Sequence, residues 1–339
     1  MAETTLAPTA GEAVATAEMP RSLRRGGRIA LISGIVFLVV AISIPLFFRN
    51  FVVFQFTQML VYAIAILGLN LLTGINGQFS LGHSAFYALG AYTAAILMDQ
   101  YSVNYIWTLP AAGVVCFIAG FLFGLPALRL EGIYLALATF ALAIATPQIL
   151  KLSPLEHWTG GVQGIVIVKP DPPSWLPLNQ DQWLYYFTLA VALILYILAR
   201  NLVKSRTGRA LMAIRDNPIA ARSMGINLSL YKSLAFGTSA LYTGIAGALG
   251  AIIVQFVAPD SFTLVLSIAF LVGLVVGGVG WLPGAVFGGA FVLFVPNIAE
   301  GVSKGLSGAV YGVILILLIY LMPTGAAGFV RAVLSRFKA

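Results

Sequence analysis

Long apolar runs separated by short polar or glycine-rich junctions cover most of the chain beyond residue 28. A helix that crosses the hydrocarbon core needs about 20 predominantly apolar residues, within a range of about 17 to 25. The pattern therefore predicts an all-α polytopic membrane protein with about ten transmembrane helices. The expected ranges are 29–48, 51–72, 84–98, 107–126, 132–150, 183–199, 231–256, 263–278, 285–299 and 308–323.

Two of these runs leave the number of crossings open. The runs 84–98 and 285–299 are short, and each adjoins a glycine-rich junction. Such a junction can hold a re-entrant segment, because non-helical backbone is tolerated at membrane depth where protein or a water-filled cavity surrounds it. About eight helices plus re-entrant segments is therefore the alternative to about ten.

A basic segment, residues 200–230, interrupts the apolar pattern. Lys and Arg recur through it, whereas Asp216 is its only acid. Loops rich in Lys and Arg between spans are retained in the cytoplasm. Asn217 is a suitable N-cap, Pro218 suits the first helical position, and Gly225 can end a helix with a positive φ. The segment predicts a short capped helix that either docks a soluble partner or belongs to an ordinary topogenic loop.

The distribution of Lys and Arg predicts an orientation with both termini in the cytoplasm. Arginines precede the first apolar run, and an even number of crossings returns the basic C-terminus to the same side. The cations left on the outer side are Arg49, Lys151, Lys169 and Lys304. The outer loop 151–182 is rich in proline and carries tryptophans, which is typical of an ordered cap at the membrane interface.

The same pattern divides the chain into three expected parts. Residues 1–20 are small and polar and lack the basic-then-apolar order of a signal peptide, and a disordered cytoplasmic tail is expected over residues 1–28. Residues 29–325 are expected to form one transmembrane domain, followed by a basic cytoplasmic tail at 326–339.

Composition supports a membrane-embedded chain. Of the 339 residues, 60% are hydrophobic and 9% are charged, and the mean hydropathy is +0.97. Soluble domains carry roughly 25% charged residues. The net charge of +8 is accounted for by loops and tails, so it does not indicate nucleic-acid binding. Cys116, the single cysteine, lies in an apolar run and is expected to be a packed small residue.

The available side-chain chemistry does not predict an enzyme. No G-x-x-x-x-G-K-[ST] motif occurs, so the chain has no recognisable ATP site. His83 and His157 belong to no cluster with metal-ligand spacing, and no metal or other cofactor is expected in this chain. Carboxylates such as Asp99 and Glu300 fall at the ends of apolar runs, which disfavours a carrier driven by intramembrane proton relays.

A polar segment punctuated by glycines, residues 73–95, follows the second apolar run. Free N–H groups at the start of a helix can receive a substrate carboxylate, and polar side chains beside them can line a translocation path. The alternative is structural, with small residues packing helices closely and polar side chains in internal hydrogen bonds. The candidates for the substrate path are Gly77, Gln78, Phe79, Ser80, Gly82, His83 and Phe86.

Two further segments are rich in glycine. Residues 273–289 form a second broken region around Pro283, and a pair of such regions is weakly indicative of a duplicated fold with a site between its halves. The sequence TGGVQGI, residues 159–165, predicts a plain turn, with an anion-receiving nest as the alternative.

Six segments together resemble the LivM-type inner-membrane permeases of bacterial branched-chain amino-acid ABC importers. They are GQFSLGHSAFYALGAYTAA (77–95), LRLEGIYLALATFALA (128–143), TGGVQGI (159–165), SRTGRALMAIRDNPIAARSMGIN (205–227), YKSLAFGTSALYTGIAGALGA (231–251) and PDSFTLVLSIAFLVGLVVGGVG (259–280). The resemblance covers roughly residues 50–325.

This resemblance implies a transport subunit that forms the path for amino acids, most simply Leu, Ile and Val, across a bacterial inner membrane. The implied partners are a second homologous permease subunit, two cytoplasmic ATPase subunits that bind ATP and Mg, an external substrate-binding protein and membrane lipid, with no nucleic acid. Similar permeases import urea or short-chain amides, which is one alternative. A self-sufficient channel or ion-coupled secondary transporter is the alternative from a different class.

The resemblance also implies that residues 205–227 form the coupling loop that seats on an ATPase. Ile219 and Met224 are then expected to be apolar anchors of a helix at 218–224, with arginines at its rim. Asp216 is a possible partner of either of two arginines in the loop. The candidates for ATPase docking are Arg209, Arg215, Asn217, Pro218, Ile219, Arg222, Met224 and Gly225.

Overall fold

The computed structural model describes residues 36, 38–127, 130, 132–174, 176–302, 306–322 and 324–328. The expected N-terminal tail, 1–28, lies outside these residues, as do positions 329–339 of the expected C-terminal tail. Lys304, one of the expected outer cations, also lies outside them.

Helices dominate the described chain, because each long apolar run satisfies its backbone hydrogen bonds within one segment. The helices are α1 Leu38–Phe47, α2 Asn50–Leu69, α3 His83–Asp99, α4 Tyr105–Ala127, α5 Ile133–Leu150, α6 Glu156–Thr159, α7 Gln180–Lys204, α8 Arg206–Asp216, α9 Pro218–Ser223, α10 Leu228–Val254, α11 Leu264–Gly277, α12 Gly284–Val302 and α13 Ser307–Leu321. A π-helical segment, Asn70–Ile75, continues α2 without a break.

Within the described ranges, seven helical segments are long and apolar enough to cross a membrane by length and composition. They are Asn50–Ile75, Tyr105–Pro126, Ile133–Leu150, Gln180–Lys204, Leu228–Val254, Pro259–Gly277 and Gly284–Gly301. Leu38–Phe47 and Gly308–Leu318 are shorter apolar helices, and α3 has 17 residues. The prediction of an all-α polytopic membrane protein is therefore confirmed, and the number of about ten crossings stays a prediction.

Helix α10 lies at the centre of the bundle, packed against α2, α3 and α4. Glycines allow this close approach, since a Cβ atom on Gly90 of α3 would lie 2.0 Å from the carbonyl oxygen of Gly244 in α10. A Cβ atom on Gly247 would meet the Tyr87 carbonyl at the same distance, 2.0 Å. Cys116 is fully buried, as predicted for a packed small residue.

The connections outside the long helices contain a small sheet and an ordered turn. Strand β1, Ile165–Val166, pairs antiparallel with β2, Phe256–Val257. In the TGGVQGI segment, Gln163 and Gly164 both donate their N–H groups to the Gly160 carbonyl, at 3.2 and 3.3 Å. These N–H groups are thus used within the segment, which favours the predicted turn over a nest.

The basic segment holds two helices, whereas the sequence predicted one. α9 is the predicted helix, and it ends at Ser223, one residue earlier than expected. α8 was missed, although Ser205 caps it by accepting a hydrogen bond from Gly208 N at 3.3 Å. Gly208 inside this helix weakens the local helical pattern, which is why propensity alone did not reveal it.

Candidate functional site

Residues 76–82, between the π-helical turn and α3, are non-helical and partly buried. The π-helical turn ends at Ile75, and α3 begins at His83. Gly77 has φ +75, a conformation that favours glycine. Gln78, Ser80 and His83 are all buried, at 7%, 1% and 1% exposure. Surrounding helices therefore supply the partners that irregular backbone needs at membrane depth.

His83 is held at both ring nitrogens. The Ser239 hydroxyl donates to the Gly68 carbonyl at 2.6 Å, so its oxygen is left to accept from His83 Nε2–H at 2.7 Å. That arrangement makes Nδ1 the acceptor for the Ser80 hydroxyl at 3.1 Å. The chain Ser80–His83–Ser239–Gly68 is thus complete with a neutral imidazole, and it fastens α3 to α10 and α2.

The backbone N–H groups at the start of α3 already have partners within the protein. Leu81 N donates to Thr139 Oγ1 at 2.9 Å, and Gly82 N lies 3.3 Å from Ser80 Oγ. Ser84 N donates to Ser267 Oγ at 2.8 Å. A substrate carboxylate can reach the first two N–H groups only if it replaces these hydroxyl groups. In this conformation the Leu81 and Gly82 N–H groups therefore do not stand free, and their role in binding a substrate carboxylate stays a prediction.

Gln78 takes part in a second internal network. Asn76 Nδ2 donates to Gln78 Oε1 at 2.5 Å, and the Thr73 hydroxyl donates to the Gln78 carbonyl at 3.0 Å. Asn76 Oδ1 is buried without a hydrogen-bond partner. A buried acceptor without a partner costs free energy, and such groups call for a structural or functional reason.

The predicted path residues divide into an exposed pair and a buried set. Gly77 and Phe79 are exposed, and the Phe79 side chain is 41% exposed. Phe86 is buried and packs edge-on against His83 and Phe123, so it belongs to the core in this conformation. The structure therefore buries Gln78, Ser80 and His83, joins Ser80 to His83, and leaves Phe79 exposed.

The helix α9 carries a complete N-cap. Asn217 Oδ1 accepts from Ile219 N at 3.1 Å and from Ala220 N at 3.0 Å, with Pro218 at the first helical position. Gly225 follows the helix with φ +83. These features confirm the predicted capped helix.

Helix α9 presents apolar side chains to the surroundings. Ile219 is 83% exposed and Met224 is 84% exposed. Ala221, between them, is buried against the rest of the chain. Ile219 lies in α9 and Met224 directly follows the helix at its C-cap. We call these two exposed apolar side chains the α9 surface.

The arginines near α9 have different surroundings. Arg209 Nη1 donates locally to the Lys204 carbonyl at 3.1 Å, and Arg222 is exposed. Arg215 pairs with Asp216 at 3.1 Å. Of the two arginines that were possible partners of Asp216, the structure therefore has Arg215 rather than Arg209 in this pair. Arg215 also donates to the carbonyl of Gly74, in the π-helical continuation of α2.

Asn70 connects the two glycine-rich breaks. Its Nδ2 donates to the Trp281 carbonyl at 3.0 Å, and Gly280 N donates to Asn70 Oδ1 at 2.8 Å. The close approach requires a glycine at Gly74, where a Cβ atom would lie 2.6 Å from Gly280 N. Sequence reasoning missed Asn70, Thr139, Ser239 and Ser267, because their partners lie far away in the chain.

Among the residues that the structure describes, no group of three or more His, Cys, Asp or Glu side chains is arranged to hold a metal ion. The described residues offer a partly buried polar segment between helices and, separately, the exposed apolar α9 surface.

Comparison with known proteins identifies relatives over most of the chain. Residues 51–319 match the family of the branched-chain amino acid transport system permease component. The LivM permease of Salmonella typhimurium is 35% identical over 267 residues, which cover 72% of this chain and 62% of that protein. The LivM permease of Escherichia coli is 36% identical over 270 residues, with 73% and 63% covered.

A second group of relatives is more distant in sequence but is covered more fully. The LivH permease of Salmonella typhimurium is 24% identical over 296 residues, which cover 79% of this chain and 91% of that protein. The chain matches less than two thirds of the length of the two LivM proteins. No solved structure matches the chain.

The family match spans α2 to α13, and therefore includes both the buried polar segment and the two helices of the basic segment. The chain belongs to the family of branched-chain amino acid transport system permease components.

Proposed function

We propose that this chain is a membrane-spanning permease subunit of an ATP-driven importer for branched-chain amino acids. The α9 surface is the observation that carries the proposal, because it offers two exposed apolar anchors on a capped helix beside a membrane bundle. Family membership and the printed names of the LivM and LivH relatives support the substrate class. The proposed location is a bacterial inner membrane.

The proposed complex supplies what this chain lacks. A second homologous permease completes the path, and two ATPase subunits seat against the α9 surfaces and hold ATP and Mg. An external binding protein delivers the amino acid. The occurrence of both LivM and LivH permeases among the relatives favours a heteromeric pair of permeases.

The proposed substrate path passes the buried polar segment. A zwitterionic amino acid needs donors for its carboxylate, acceptors for its ammonium group and an apolar wall for its side chain. Leu81 N and Gly82 N can supply donors when Thr139 and Ser80 release them. The unpartnered Asn76 Oδ1 is an available acceptor. Opening the segment therefore exchanges internal hydrogen bonds for bonds to substrate.

We expect the double variant Gln78→Ala, Ser80→Ala to lose most uptake while the complex still assembles. The variant removes the partner of Asn76 Nδ2 and the hydroxyl that holds His83 Nδ1. Each hydrogen bond to a charged substrate group contributes about 1.5–3 kcal/mol, so loss of one such bond weakens uptake at limiting substrate about tenfold or more. Uptake of labelled leucine by the purified, reconstituted complex measures the effect.

Thr238→Ala is the matched control, because its hydroxyl donates only to the carbonyl of Ala235 in its own helix at 3.1 Å. Unchanged uptake and unchanged substrate selectivity in the double variant would place the path elsewhere. Competition by valine, isoleucine, urea and acetamide in the same assay tests the substrate class. Competition by urea or acetamide alone would favour the amide alternative.

Cysteine labelling tests the proposed orientation. In intact cells, a membrane-impermeant maleimide is expected to label Val162→Cys but to label Lys204→Cys only after permeabilisation. Val162 is 66% exposed and Lys204 is exposed. The native Cys116 is buried, so it is not expected to react with the maleimide. Labelling of Lys204→Cys from outside intact cells would overturn a cytoplasmic basic segment.

A further inference from the structure

Arg215 bridges two parts of the fold that are far apart in sequence. It lies in the last turn of α8, three residues before α9 begins at Pro218. Its Nη1 donates to the Gly74 carbonyl at 2.9 Å, across a sequence separation of 141 residues. Its aliphatic stem lies against Gly77, where a Cβ atom would come within 2.6 Å of Arg215 Cγ. The side chain thus rests against the turn that joins the π-helical segment to the buried polar segment.

The position of the acceptor favours a cation. Gly74 belongs to the last turn of the helix formed by α2 and its π-helical continuation, where carbonyl groups lack partners further along the helix. The C-terminal end of a helix carries partial negative charge, so a guanidinium there is stabilised. Arg215 therefore satisfies an end carbonyl and interacts favourably with the helix dipole at once.

The rest of the guanidinium faces Asp216. Both Nε and Nη2 donate to Asp216 Oδ1 at 3.1 Å. The Arg215 side chain is 41% exposed and that of Asp216 is 68% exposed. Exposed ion pairs contribute little to stability. Asp216 therefore orients the fork, and the bond to Gly74 adds a polar link between α8 and the membrane helices to the packing of Leu211 in the core.

The same π-helical turn is fastened on its other side. Asn70, which is fully buried, holds the turn between α11 and α12 through Gly280 N and the Trp281 carbonyl. A π-helical turn is a local irregularity that often marks a functional position in a helix. Three elements, the α8–α9 pair, the end of α2 and the α11–α12 turn, thus meet at residues 70–75.

We propose that Arg215 is a positioning residue that couples α9 to the transport path. A displacement of α9 is passed through the Arg215–Gly74 bond to residues 70–75. From there it reaches the adjoining segment 76–83, and through Asn70 it also reaches the α11–α12 turn. This inference rests on the proposed function, because in it an ATPase subunit is the partner that displaces α9. Arginine suits the role because its planar fork engages two acceptors in a fixed geometry.

The test uses the complete complex with its ATPases and binding protein in proteoliposomes. Arg215→Met removes the cation and keeps an apolar stem against Gly77, whereas Arg215→Lys restores a charged donor. Arg206→Met is the charge-matched control, because Arg206 is exposed at the other end of α8. Asp216→Asn removes the charge that pairs with Arg215 and leaves the Arg215–Gly74 bond in place, so it tests the ion pair alone. The readouts are copurification of the ATPases, the rate of ATP hydrolysis and the amount of leucine transported per ATP.

We expect Arg215→Met to copurify with its ATPases and to hydrolyse ATP, but to transport about tenfold less leucine per ATP, as loss of one charged hydrogen bond predicts. Arg215→Lys is expected to recover part of that ratio. Arg206→Met and Asp216→Asn are expected to keep it. A merely structural role would lower the yield of the complex and leave the ratio unchanged.

Hydrogen exchange provides a second readout in the same samples. In the unmodified complex, nucleotide binding is expected to change the exchange of peptides covering residues 70–83, and in Arg215→Met that change is expected to vanish. If Arg215→Met transports as much leucine per ATP as the unmodified complex, or shows the same change in hydrogen exchange on nucleotide binding, the inference is overturned while the proposed function stands. Loss of ATPase copurification in Arg215→Met would equally overturn it, by assigning Arg215 to the docking surface. Absence of ATPase binding to the unmodified chain would refute the proposed function itself.

Discussion

Replacing Ile219 and Met224 with glutamate is expected to abolish copurification of the chain with its ATPase subunits. Both side chains are more than four-fifths exposed, at 83% and 84%, so their loss leaves the packing of the isolated chain intact. Buried apolar anchors at the centre of an interface typically contribute about 2 kcal/mol or more each, which is about 30-fold in affinity per anchor. A glutamate would also place an unpaired charge in a desolvated groove. Copurification and substrate-stimulated ATP hydrolysis measure the loss.

Controls separate docking from damage to the chain. Val168→Glu changes a side chain of similar exposure, 85%, near the β1 strand, and is expected to leave ATPase binding unchanged. Gly225→Val is expected to weaken ATPase binding. A Cβ atom at Gly225 would meet open space, so the effect would come from backbone strain, because a β-branched residue is strained at φ +83. Neutralising Arg222 is expected to have a smaller effect than the change at Ile219. If the Ile219→Glu, Met224→Glu chain copurifies normally with the ATPases, the α9 surface does not dock them, and the basic segment is an ordinary topogenic loop.

Replacing Gly90 with valine is expected to destabilise the helix bundle. A Cβ atom at this position would lie 2.0 Å from the carbonyl oxygen of Gly244 and 2.5 Å from its Cα. Both are backbone atoms of α10, so no side-chain rotation relieves the clash and the two helices must separate. Overpacking typically costs about 1–3 kcal/mol, occasionally more, and a backbone clash at the central helix belongs to the upper end. The yield of folded protein in mild detergent and its thermal unfolding temperature measure the effect.

Gly312→Val is the matched control, because a Cβ atom at Gly312 in α13 meets nothing within 4 Å. The same substitution in open space is expected to leave the unfolding temperature nearly unchanged. A Gly90→Val protein as stable as Gly312→Val would show that α3 and α10 are not in contact through this glycine.

Local patterns in the sequence predicted the features that depend on neighbouring residues. Apolar runs of spanning length predicted the helical membrane bundle, because the hydrocarbon core sets that length directly. Asn217, Pro218 and Gly225 predicted α9, since capping acts within a few residues of the helix end. The glycine-rich stretches predicted the breaks that follow α2 and α11, because unusual backbone conformations favour glycine.

Features that depend on distant residues could not be predicted in this way. His83 was predicted as a path residue, but its partner Ser239 lies 156 residues away and no local pattern predicts the pair. The bond between Arg215 and Gly74 spans 141 residues and was missed for the same reason. Phe86 was predicted as a path residue from its segment alone, and the structure buries it against Phe123 of α4, a contact between segments that the local pattern does not predict.

Uptake of leucine into proteoliposomes tests most directly whether the chain is a permease subunit of an ATP-driven importer. The chain is reconstituted with its homologous permease and the ATPases, ATP and Mg²⁺ are enclosed, and labelled leucine is added outside with the binding protein. Leucine is expected to accumulate only when the complex is complete and the ATP can be hydrolysed. Accumulation by this chain alone, driven by a sodium or proton gradient without ATPases, would contradict the proposal and assign the chain to the ion-coupled carriers.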